Sequence, residues 1–158
     1  MNLDINSEKG KQTLVDEREM HEELEKILGG KILETDKSRP AKIDGLHYID
    51  NTLQMIFEAK CRYDMDFELL NRRGSLLITK QKVDDGKNLS RLLQVPYVVI
   101  VYLVKTKTIV AWKLTNDFGD DLFEYESKNF QTQRTVNGGQ ANRMNSFLPV
   151  KFMQIIKQ

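Results

Sequence analysis

The chain predicts an α/β fold with a mixed central β-sheet flanked by helices, and three observations carry that expectation. A helically spaced apolar stripe ends at Gly29-Gly30, two β-rich runs meet at Asp50-Asn51, and a second helical segment closes at Pro96 before the apolar run 97–104. A helix leading straight into a continuous apolar strand is the pattern of a crossover onto a buried strand. Taken in order, the predicted elements run α-β-β-β-α-β-β.

Residues 1–12 are polar and are expected to be flexible. The first helix is predicted over 14–28, with Met20, Leu24, Ile27 and Leu28 on one stripe and a glycine pair as its stop. A short strand follows at 31–34, then a loop over 35–40. The runs 43–49 and 52–62 form a hairpin, supported by their β-branched and aromatic content. Residues 64–71 fit a short helix or a loop, and the apolar run 76–79 fits either element type. The second helix spans 82–94, with Val83, Leu89, Leu92 and Leu93 facing the core and Gly86 weakening it. After the buried strand comes an edge strand over 108–113; Trp112 and Tyr102 belong to the sheet and core. Residues 116–126 carry five acids and no Lys or Arg, which reads as a solvated loop. A Gln/Asn-rich stretch turns at Asn137-Gly138-Gly139, and a last strand covers 147–156. The whole of 116–146 is expected to be a surface loop or substrate arm.

At 158 residues the chain is long enough for one domain with one core and too short for two comfortable ones. The net charge of +1 does not speak for or against a polyanionic partner, because the charges are segregated. One cysteine excludes an intramolecular disulfide and a cysteine zinc site, and fits a reducing compartment. The polar start argues against a signal peptide, and the longest apolar run is too short to span a bilayer. A soluble cytoplasmic protein with no membrane partner is the expectation.

Chemistry concentrates in 43–60. Glu58 and Lys60 project to one side of their strand, and Phe57 and Ala59 to the other, because strand side chains alternate. With Asp44 on the neighbouring strand, they make an oxygen-rich site beside an amine, suited to a hard divalent cation and to phosphodiester hydrolysis. Asp44 followed by Phe57-Glu58-Ala59-Lys60-Cys61-Arg62 resembles the Asp-(x)n-Glu-x-Lys signature of the PD-(D/E)xK nuclease superfamily. The departure is Ile43, which stands where that pattern usually has proline. The match covers Glu17 to Lys60, the element order resembles the family core to about Thr115, and the remainder is similar to phage- or plasmid-type members, which would place the protein in a bacterial or phage-infected cell.

The resemblance implies a restriction-endonuclease-like core and a Mg²⁺-dependent deoxyribonuclease, endonuclease favoured, with Mn²⁺ able to substitute. Asp44, Glu58 and the Ala59 carbonyl would hold one or two ions. Glu17 is the helix acid such enzymes carry; it lies on the apolar stripe, where a buried acid needs a partner. Two readings of Glu17 stay open: a member of the metal cluster, or a first-turn acid complementing the helix dipole, with Glu23 as the substitute. Lys60 is read as an orienting cation first and a general base second, because nearby anions favour its ammonium form.

DNA is the expected partner. Six basic residues lie between Arg72 and Arg91, and Lys80, Gln81 and Lys82 near a helix N-terminus are the best candidates to meet phosphates. Arg134 and Arg143 would contribute from the arm. His47 falls on the opposite face from Asp44 and is read as structural or DNA-facing, and His21 is a lesser general-base candidate. A homodimer would serve cutting of two strands, although no dimer patch is legible. The alternatives are a catalytically inactive nucleic-acid-binding protein of the same fold, and an accidental motif match.

Overall fold

A computed structural model describes the backbone of residues 6–134 and 140–158, with side chains described outside 130–142. Helix α1 (Glu8–Leu28) leads into β1 (Lys31–Glu34), β2 (Gly45–Ile49) and β3 (Thr52–Arg62). Helix α2 (Phe67–Arg73), β4 (Ser75–Thr79) and α3 (Lys80–Leu93) then cross over to β5 (Tyr97–Leu103). Strands β6 (Thr108–Lys113), β7 (Glu126–Arg134), β8 (Gln140–Pro149) and β9 (Gln154–Lys157) complete the chain, with 3-10 turns at Val104–Thr106 and Val150–Phe152.

Six strands form a mixed sheet in the order β1-β2-β3-β5-β6-β9. The β3–β5 pair is parallel and the others are antiparallel. The α/β class and the crossover onto a buried strand therefore hold: every residue of β5 is buried. Strands β4, β8 and β7 form a second, antiparallel sheet.

Two apolar clusters sit on opposite faces of the main sheet. Met20 and Leu24 of α1 pack on Phe57, Ala59, Val98 and Ile100. Val83 of α3, Leu76 and Ile78 of β4 and Leu148 of β8 pack with Ile56, Tyr97, Val99 and Trp112. Adjacent residues of β3 and β5 thus feed different cores, as strand alternation requires. Trp112 spans the layers, its Nε1 donating to the Pro149 carbonyl at 2.9 Å.

Local chemistry explains the boundaries. Ser7 caps α1 by accepting from the Gly10 amide, and Gly29 ends it at φ +76°. The helix therefore starts at Glu8 rather than 14, a correction to the expectation that 1–12 is flexible; residues 1–5 lie outside the described part. Asp50 and Asn51 both take positive φ, 48° and 64°, as a tight two-residue hairpin turn requires. Asp66 caps α2 through Leu69 N–H at 2.8 Å, which settles the open reading of 64–71. The run 76–79 is strand, not helix, because it pairs with β8.

Other expectations are corrected. Leu92 and Leu93 are 76% and 41% exposed, as Ile27 and Leu28 are at 46% and 38%. The inward face of α3 is Val83, Gly86 and Ser90, a phase fixed by Gly86 lying against the Tyr97 ring. Strand β6 is interior, with β9 at its far side. The segment 116–146 is not loop throughout: from Glu126 it enters the β7–β8 hairpin, whose inner strand is held by β4. The expected last strand, 147–156, is divided: its first part completes β8, and after Pro149 a 3-10 turn leads into β9. Among the described residues no helix is long and apolar enough to cross a membrane.

Candidate functional site

The site grows from the β2–β3 register. Gly45 pairs with Phe57, which sets Asp44 opposite Glu58 where β2 begins. Asp44 N–H donates to the Phe57 carbonyl at 3.0 Å, and its Oδ2 accepts from the Ala59 amide at 2.8 Å. One aspartate is thus hydrogen-bonded to the backbone on either side of Glu58, leaving Oδ1 directed elsewhere. The Ala59 side chain packs into the α1-facing core.

Glu58 is 1% exposed. Lys60, two residues on, reaches its Oε1 at 3.0 Å, so the shared strand face becomes a direct contact. Its Oε2 is buried without a hydrogen-bond partner among the described residues; the Lys82 ammonium lies 3.5 Å away. Burial pushes the Glu58 carboxyl above its ordinary value, Lys60 pulls it back, Asp44 adds to the rise and Lys82 opposes it.

Glu17 approaches from α1. Its Oε2 lies 3.6 Å from the Lys37 ammonium, which also lies 3.7 Å from Asp44 Oδ1. The Glu17 side chain is 13% exposed, and burial raises its carboxyl, with Lys37 opposing and Asp44 and Glu34 reinforcing. The exposed first-turn reading does not fit: α1 begins nine residues earlier, at Glu8. Glu23 instead pairs with Lys26 and Lys157.

Asp44, Glu58, Lys60 and Glu17 therefore meet at one rim of the sheet, together with Lys37 and Lys82. Among the described residues no group of three or more His, Cys, Asp or Glu side chains is already arranged to hold a metal ion. The carboxylates are instead taken up in ion pairs: Lys37 lies between Glu17 and Asp44, and Lys60 and Lys82 both approach Glu58. The donors themselves suit a hard cation, being all oxygen, and the orphaned Glu58 Oε2 is an oxygen whose burial calls for a positive partner.

The expected nucleic-acid contacts divide. Lys80, Gln81 and Arg143 line one groove of about 400 Å³ with Thr79, Asp84 and Met144. Lys80 pairs there with Asp84 at 2.6 Å, and Gln81 donates to Asp85. Lys82 does not join them; it turns to Glu58 and donates to the Ala41 carbonyl at 3.0 Å. Arg134 lies in β7; its side chain, and residues 137–139 where the sequence predicts a turn, are outside the described residues. The wider basic run is dispersed rather than a single track. Arg72 and Arg73 occupy the last turn of α2, Lys87 pairs with Asp121 and Arg91 donates to Gly119.

A larger cleft, about 1150 Å³, lies over the second sheet and away from the carboxylates. Its four lysines (Lys80, Lys87, Lys128, Lys151) are matched by Asp84, Asp121, Glu124 and Glu126. That balance gives no preference for a polyanion, so size alone does not make it the site.

His47 is structural, buried with its ring nitrogen 2.7 Å from the Gly29 carbonyl. His21 is also buried; its Nδ1 lies 2.6 Å from Glu34. Sequence reasoning missed Lys37, whose signal was only a basic residue in the loop before Asp44. It also missed the buried Asp16, which accepts from Tyr63 Oη at 2.6 Å. Comparison with protein-family models, curated proteins and solved structures finds no match to this chain.

Proposed function

We propose that the chain is a metal-dependent nuclease with a restriction-endonuclease-like core of the PD-(D/E)xK type, hydrolysing phosphodiester bonds in DNA. The observation that supports it is the meeting of Asp44, Glu58, Lys60 and Glu17 at one sheet rim, with a Glu58 oxygen buried and unbonded among the described residues.

Asp44 Oδ1 and Glu58 Oε2 would hold Mg²⁺, or Mn²⁺ in its place, with Glu17 as a direct or water-mediated ligand and the Ala59 carbonyl as a further oxygen. The bound ion would acidify a water and offset charge building on the phosphate. Asp44 is held ready by the Ala59 amide, so its orientation costs nothing at the moment of reaction. Lys60, fixed on Glu58 Oε1, would orient the attacking water and stabilise the developing negative charge. Lys80, Gln81 and Arg143 would meet the substrate backbone in the groove at the start of α3. A pair of such subunits would serve if two strands are cut.

The rival is a nucleic-acid-binding protein without catalysis, favoured by one observation: the three lysines already neutralise the three carboxylates. Cleavage of linear, circular, single-stranded and branched DNA with Mg²⁺ or Mn²⁺ separates the two. Cutting by the native protein, abolished by each of Asp44→Ala, Glu58→Ala and Lys60→Ala in folded form, is the expected result. Robust cutting by any of the three rejects the assignment.

A further inference from the structure

Lys37 stands apart from the other two lysines of the rim. Lys60 forms a close ion pair with Glu58 Oε1 at 3.0 Å, and Lys82 donates to the Ala41 carbonyl at 3.0 Å. Lys37 lies 3.6 Å from Glu17 and 3.7 Å from Asp44, beyond ordinary N–H···O length. It is held by charge rather than by fixed hydrogen bonds.

Its position is nevertheless defined. The loop that carries it is pinned at one end by Thr35, whose amide and hydroxyl both donate to the Asp44 carbonyl at 3.0 and 3.1 Å. At the other end Lys82 grips Ala41. Between these anchors Asp36 accepts from the Ser38 amide, which turns the chain beside Lys37. The backbone therefore delivers the ammonium to the gap between Glu17 and Asp44, while a flexible four-carbon stem, 24% exposed, leaves it a path out. Without that charge, the two carboxylates would face each other uncompensated; Asp44 already adds to the rise of the Glu17 carboxyl.

We propose that Lys37 is an internal counter-cation that covers Asp44 Oδ1 and Glu17, two of the groups assigned to the ion above, and is displaced from them when the ion binds. This rests on the metal-site reading above and adds a residue that sets ion affinity. Lys37 is a positioning residue: it keeps the two acids together and apart from solvent cations until a stronger charge replaces it. An ion and an ammonium set between the same two carboxylates repel each other at this range, so the ion competes with Lys37 for Asp44 Oδ1.

Calorimetric titration of the full chain with Mn²⁺ alone tests this. Lys37→Met is expected to bind Mn²⁺ about tenfold more tightly than the native protein, from loss of a competing charge at this range. Lys37→Arg, which keeps the charge, is expected to show no such gain, and Asp44→Asn to lose the binding. Lys37→Gln replaces Lys37→Met if circular dichroism shows the latter unfolded. Asp44-dependent binding that is equal or weaker in the folded Lys37 variant overturns the role of Lys37 alone. Absence of Asp44-dependent binding in both proteins overturns the metal site, and this proposal with it.

Discussion

Replacing Gly86 by alanine tests the packing that positions Lys82 at the site. Gly86 sits mid-helix in α3, and a Cβ there would overlap the Cε1, Cε2 and Cζ atoms of the Tyr97 ring, far inside the ~3.5–4.0 Å of carbon contact. Tyr97 is fully buried, and its hydroxyl donates to the Lys82 carbonyl at 3.2 Å. The ring cannot retreat without moving β5, so α3 must lift. Overpacking of a closed core costs about 1–3 kcal/mol, and the upper half applies where the obstacle is a fixed ring. Alanine returns about 1 kcal/mol through helix propensity. The net expectation is a loss of about 1–2 kcal/mol, or about 2–8 °C in Tm for a chain of this size. Urea unfolding followed by circular dichroism, with a thermal melt alongside, measures it. The double variant Gly86→Ala, Tyr97→Leu should lose less than the sum of the single losses, because the two positions meet. A Gly86→Ala protein as stable as the native one would refute the argument, and with it the reason given for the phase of α3.

Two further outcomes follow from the ion pairs and from His21. Lys82→Met should destabilise by about 1–3 kcal/mol, because it withdraws a positive neighbour from the buried Glu58 oxygen. Lys80→Met removes a half-exposed pair one turn apart and should cost under about 0.5 kcal/mol; equal losses in denaturant would show that Glu58 does not need Lys82. Burial holds the His21 imidazole below its ordinary 6.5, against the pull of Glu34. The folded state then binds fewer protons than the unfolded one, so stability present above 6.5 is lost as pH falls below it. The melting temperature should fall from neutral to mildly acid pH more steeply for the native protein than for His21→Met, and parallel curves would remove His21 as the source.

How much of this was legible depends on the range over which each feature is decided. The α1 stop at Gly29, the hairpin turn at Asp50-Asn51 and the β5 run are written in a few adjacent residues, and each appears where the sequence places it. The β7–β8 hairpin was not legible, because its polar, Gln/Asn-rich strands carry no alternation; β8 is strand through its pairing with β4. Leu92 and Leu93 misled for a related reason. Side-chain type gave a stripe, but the buried face of α3 is set by which residue can approach Tyr97, and only a glycine can.

The sequence by itself determined the chemistry available at the site, with Glu58 and Lys60 in strand alternation and Asp44 just before the partner strand; the register shift between His47 and Tyr48 that sets Gly45 against Phe57 is not written in the turn. Tertiary structure decided which charges share the space. Glu17 meets Asp44 through Lys37, and Lys82 leaves the groove of Lys80 and Arg143 for Glu58. Alternation and helical phase fix a side chain's direction over a few residues, whereas the balance among six charges at one rim depends on how α1, α3 and the loop before β2 dock on the sheet.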